Sequence, residues 1–138
     1  QLYACGMFAW AGNQTQPGGM YRLRYTGEPV YLPIELKARK GGVELTFSEP
    51  VDEETAVEIA NYKLKTWTLK RTRNYGSKHC DEKSVSVTSV QLSKDGKRVF
   101  MAIPDLKPTW CMEIKYNLKG ASGRSFNGTI HNTIHILK

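Results

Sequence analysis

Apolar and polar residues alternate with a period of two along most of this chain, in short runs closed by Gly, Pro, Asn and Asp. The longest stripe is Trp110, Met112, Ile114, Tyr116 and Leu118, whose neighbours Cys111, Glu113, Lys115, Asn117 and Lys119 face the other way. Trp110 heads that stripe and is assigned to the core. Upstream, Ile34 to Ala38 alternates, a turn follows at Lys40–Gly42, and Val43, Leu45 and Phe47 form a half-buried strand. Asp52 to Ile59 fits one or two helical turns, with Asp52 as N-cap and acidic residues near the start. Asn61 to Leu69 is the next strand, and its phase is broken: Tyr62 and Leu64 share one face, Trp67 and Leu69 the other. Either a bulge intervenes or Trp67 points away from the core.

The remaining pattern is of the same kind. Ser84 to Leu92 reads as one strand with a phase change between Val87 and Val90. Ser93-Lys94-Asp95-Gly96 is a hairpin turn. Val99, Met101 and Ile103 alternate, Pro104 to Pro108 forms a corner, and Gly120 to Gly123 forms a turn. A last strand starts near Thr129, with Ile130, Ile134 and Ile136 on one face. Before all this, residues 1–27 have hairpin grammar with a long polar loop, and 28–33, with Pro29 and Pro33, read as a linker or corner. Short strands, frequent turns and no long helix predict an all-β fold: an antiparallel immunoglobulin/fibronectin-III-like β-sandwich over 34–138 with an N-terminal β-hairpin.

Composition adds limits. The chain has 138 residues, enough for one domain with a real core. No apolar run approaches the ~18 residues a membrane-spanning helix needs. No signal peptide is evident and the first residue is Gln1, so the expectation is a mature product or a piece of a longer protein. The net charge is +7, and the stretch from Lys63 to Lys83 carries most of it. Lys63, Lys65, Lys70, Arg71, Arg73, Lys78 and Lys83 face only Asp81 and Glu82 there. Such a balance admits acidic glycans or nucleic acid as partners. The sequence marks of the known DNA and RNA modules are not found, so nucleic acid is not expected.

The run GVELTFSEPVD, then NYKL, then VSVTSVQLSKDGKRVFMAIPDL, then MEIKYNLKGASG resembles the bacterial immunoglobulin-like modules of large secreted proteins. It covers roughly 34–138 and implies a fold rather than an activity. QLYACGMFAWAGNQTQPGGMYRLRYTGEPV is similar to the last strands and exit of a β-propeller. The two together resemble large secreted planctomycete- and verrucomicrobial-type proteins, in which a sorbosone/glucose-dehydrogenase-like propeller precedes such a sandwich. The resemblance implies a non-catalytic accessory module, periplasmic or extracellular, with an adjacent propeller in the same polypeptide. It would bind a carbohydrate or serve as a docking or spacer domain. The rival is a structural part of a propeller-type sugar oxidoreductase that contributes to the surroundings of its active site. None of that family's cofactor or haem motifs is present, so no catalytic residue carries over and no cofactor is expected.

Four constellations are candidates for chemistry. His79, His131 and His135 could suggest a metal, but four residues of extended chain put His131 and His135 about 13 Å apart on one strand face. That is too far for one ion with bonds of ~2.0–2.1 Å. Cys80 beside His79 could suggest a nucleophile, yet neighbours on a strand point to opposite faces and no third group is evident. Cys80 and Cys111 are candidates for a disulfide, with free thiols as the competitor and Cys5 left over. Finally, Trp67, Arg71, Arg73, Tyr75, Lys78 and His79 could form a ligand platform, aromatic faces stacking on sugars and arginines holding carboxylates. The competing reading has Trp67 covering the sandwich edge above a solvated loop. Trp10, Met7 and Phe8 would pack as an extra hairpin or mark a propeller edge. Asn13-Gln14-Thr15 and Asn127-Gly128-Thr129 match the N-glycosylation pattern.

Overall fold

The computed structural model describes residues 2–6 and 18–137. The elements in chain order are β1 (Leu2–Gly6), β2 (Gly19–Leu23), β3 (Pro33–Arg39), β4 (Gly42–Phe47), α1 (Glu53–Val57), β5 (Tyr62–Leu69) and β6 (His79–Val85). They continue with β7 (Ser89–Leu92), β8 (Arg98–Ala102), β9 (Thr109–Lys119) and β10 (Ser125–Ile134). Two four-stranded antiparallel sheets, ordered β3-β4-β8-β7 and β10-β9-β5-β6, pack face to face, and β1 pairs with β2 as a separate hairpin. The protein is an all-β sandwich with an N-terminal β-hairpin.

Alternation places the core as expected. Val43, Leu45 and Phe47 of β4 and Val99 and Met101 of β8 meet Met112, Ile114, Tyr116 and Leu118 of β9, all buried. Burying each such side chain contributes about 1.5–3 kcal/mol. Phe47 meets Tyr116 edge-on at 5.4 Å between ring centroids. α1 starts where the sequence places it. The Asp52 carboxylate accepts from the Thr55 N–H at 2.9 Å, and Asp52 and Thr55 are in turn bonded to the backbone of Lys119.

Three expectations are corrected. Ser84 to Leu92 is not one strand: β6 and β7 lie in different sheets, and residues 86–88 carry the chain across the sandwich. The phase change marks that crossing, because the core lies on opposite sides of the two sheets. The last strand starts earlier, at Ser125, because Phe126 pairs with Leu118 and joins the core rim. Trp110 is not core but 65% exposed. Between Met112 and Thr109 the register of β9 slips by one residue against β10, and a bulge of this kind re-aims side chains.

The linker is docked rather than free. Tyr31 is buried, stacks on Phe126 at 4.9 Å, and its hydroxyl meets Ser122 Oγ at 2.9 Å. Leu32 and Ser48 exchange two bonds, the Leu32 N–H to Ser48 Oγ and the Ser48 N–H to the Leu32 carbonyl. A Cβ on Gly120 would stand 1.9 Å from the Tyr31 ring, so only glycine admits this ring. Met7, Phe8, Trp10 and Asn13 to Thr15 lie outside the described residues.

Candidate functional site

The residues singled out between Thr66 and Lys83 divide into a closed root and an open loop. β5 keeps strict alternation, so of the two explanations for Trp67 the second holds: it faces away from the core, with Lys63, Lys65 and Leu69. Yet it is only 7% exposed. His79, at the start of β6, stacks on its ring at 4.3 Å and 20°. His131 of β10 meets it edge-on at 6.1 Å, and Lys65 Nζ stands 5.4 Å from its centroid. Trp67 is therefore covered on the outer face of the sheet and offers no free ring face for a sugar.

Ion pairs surround this cover. Glu82 Oε2 lies 3.2 Å from His79 Nδ1 and 3.1 Å from Lys65 Nζ. These partners, His79 first and then Lys65, hold the Glu82 carboxyl below the usual carboxylate range. Glu113 reaches Lys115 at 3.3 Å, His131 Nε2 at 3.7 Å and Lys65 at 3.8 Å. Lys65, Glu113 and His131 occupy one row across β5, β9 and β10. That row was missed in the sequence, because its members lie on three strands far apart in the chain and only the register brings them together.

Two bulges flank Trp67. Across β5, Thr66 pairs with Lys83 but Thr68 pairs with Cys80, so β6 carries an extra residue. Asp81 absorbs it with φ at +52°, and its carboxylate accepts from the Thr68 hydroxyl at 3.2 Å. On the other side lies the irregularity of β9 near Trp110. Both re-aim the strands around the tryptophan.

The disulfide candidate is corrected by the same register. Cys5, Cys80 and Cys111 are all free thiols. Cys111 pairs with Trp67 and Cys80 with Thr68, on opposite sides of β5. Strands one apart sit roughly 9.5 Å from each other, against the ~4.4–6.8 Å between Cα atoms that a disulfide spans. Successive residues of β5 also point to opposite faces. His79 and Cys80 diverge likewise: His79 lies on Trp67, whereas the Cys80 thiol donates to the Lys78 carbonyl at 3.7 Å. His131 and His135 do not share a strand face. His131 lies on Trp67, and His135, past the end of β10, lines a cleft with Leu36, Ala38, Ile134 and Ile136.

Residues 70–78 form the open part. Lys70, Arg71, Arg73 and Lys78 are exposed, and among the described residues no ion pair involves any of them. Lys37, Arg39, Lys65, Arg98 and Lys115 are by contrast all paired. Tyr75 is fully exposed at the tip, before Gly76 at φ +82°. Of the expected ligand platform, Arg71, Arg73, Tyr75 and Lys78 are thus presented to solvent, while Trp67 and His79 anchor the loop root. No protein-family model and no curated protein matches the chain.

Proposed function

We propose that this chain is a non-catalytic accessory module of immunoglobulin/fibronectin-III-like kind, working as a docking and spacer domain within a secreted multidomain protein. The observation that carries this is a run of exposed apolar side chains outside the sandwich core. Leu2, Met20 and Leu23 are exposed on the hairpin, Val30 and Leu32 on the connecting segment, and Ile34 on the edge strand β3. An isolated two-stranded hairpin is marginal in water, so a partner surface that covers these side chains would stabilise it. The docked linker fits the same reading, because Tyr31 and Leu32 tie the segment that follows the hairpin to the sandwich. The strand orders β3-β4-β8-β7 and β10-β9-β5-β6 support the immunoglobulin-like assignment. By the likeness of residues 1–30 to a propeller exit, the docked neighbour is a β-propeller in the same polypeptide.

Hydrogen exchange tests this reading. In this chain alone the amides of β1 and β2 are expected to exchange at nearly unprotected rates. In the longer polypeptide that carries the module, the same amides should be protected as strongly as those of β4. Rapid exchange in both settings would remove the docking role.

A further inference from the structure

We propose that the loop 70–78 is a binding site for an acidic glycan, a polysaccharide bearing carboxylate or sulfate groups. The site is independent of the docking reading, because it lies at the other end of the sandwich. Residues 30–32 meet Ser48, Ser122 and Phe126, beside the β9–β10 turn. The loop leaves from Leu69 and returns at His79, at the end of the sheet where Thr109 pairs with Ile134.

Three features of the loop point to this ligand class. First, its four bases crowd into nine residues with no ion-pair partner among the described residues, whereas Lys37, Arg39, Lys65, Arg98 and Lys115 each have one. Four like charges within nine residues repel one another, and an anion relieves that repulsion. Arg71 and Arg73 supply planar forks that match carboxylate or sulfate oxygens. Second, Tyr75 stands fully exposed between those bases, with a free ring face for the apolar face of a sugar and a hydroxyl for its polar edge. Third, the root is tied across the two strands. The Trp67–His79 stack and the Thr68–Asp81 bond hold both ends of the loop, so part of the ordering cost of binding is already met in the free protein.

A glycan is favoured over nucleic acid by what surrounds the loop. Glu82 and Glu113 interrupt the positive charge of the adjoining sheet face, so no continuous basic groove tracks a phosphate backbone. Single-strand binders stack successive bases on several aromatic rings, and this loop presents one.

The test is affinity chromatography of the full chain on heparin, polygalacturonate, neutral dextran and single-stranded DNA across a sodium chloride series. Retention is expected on heparin or polygalacturonate and not on dextran. R71A/R73A should lower that affinity at least tenfold. K94A/R124A, which removes the same charge from exposed bases elsewhere, should leave it within twofold. Tyr75→Ala should cost about fivefold, the weak end of an aromatic stack, without changing the salt slope. Equal losses in the two double variants would reduce the effect to net charge and overturn the site. So would tighter retention on DNA than on either acidic glycan, or no retention on either. All these side chains are exposed, so an unchanged melting temperature verifies that each variant is folded.

Discussion

At the scale of single residues, Trp67 shows why direction and burial are separate questions. Its ring is directed away from the core and still loses almost all contact with water, because His79, His131 and Lys65 close over it. Trp67→Ala is therefore expected to destabilise the protein by about 3 kcal/mol, the range of large aromatic truncations. Trp110→Ala, at a 65% exposed position, should stay within about 0.5 kcal/mol. Urea unfolding of the two variants checks both, and an unchanged midpoint for Trp67→Ala would show that the cover over its ring contributes nothing. The direction of Trp67 was legible in the sequence, since it breaks phase with Tyr62 and Leu64. Its cover was not, since His131 reaches it only through the register of three strands. Glu82 gives the same cluster a pH signature. Its carboxyl is held below its ordinary value of 4.5, by His79 first and Lys65 second. A depressed carboxylate contributes stability that is present above the unfolded value and lost as pH falls through the folded one. The difference in melting temperature between the parent protein and Glu82→Gln should accordingly shrink as pH falls below 4.5. A difference that stayed constant down to pH 2 would assign the effect of the substitution to something other than the charge.

At the scale of elements, the register decides what the alternation cannot. A period of two says which residues share a face of a strand, but not which strand lies beside it. For this reason Cys80 and Cys111 could be paired on paper although β5 separates them. A thiol assay in denaturant is expected to find three reactive thiols per chain, and reductant should leave the melting temperature unchanged. The crossing at 86–88 was hidden for a related reason. No Gly or Pro marks it, so only the phase change between Val87 and Val90 hinted at two strands. α1 was legible because a cap is local: Asp52 and Thr55 lie three residues apart and satisfy each other. The docking of Tyr31 was not, because it depends on Gly120 across the fold. Gly120→Ala should cost about 1–3 kcal/mol by forcing the Tyr31 ring out of its place. The cost should largely vanish in a Tyr31→Ala background, since substitutions that share one contact are not additive. Equal costs in both backgrounds would mean that the glycine serves the turn and not the ring.

At the scale of the whole molecule, the sandwich separates two kinds of apolar side chain. Those of β4, β8 and β9 face one another and are shut from water, whereas Ile34 and Ile136, on the β3 and β10 side, are exposed by more than half. The fold class was legible because the first kind sets the alternation, and the strands that line the core repeat it. The second kind obeys the same alternation, so the sequence could not distinguish core from open edge. Stability measurements can. Leu45→Ala should cost about 2–5 kcal/mol, as truncation in a closed core does. Ile34→Ser combined with Ile136→Ser should leave stability within about 1 kcal/mol, because water already reaches both side chains. The same pair should also lower self-association of the isolated chain, measured by sedimentation velocity, since it removes apolar surface otherwise free to meet another molecule. A loss of stability comparable to that of Leu45→Ala would place this edge inside the core of the sandwich.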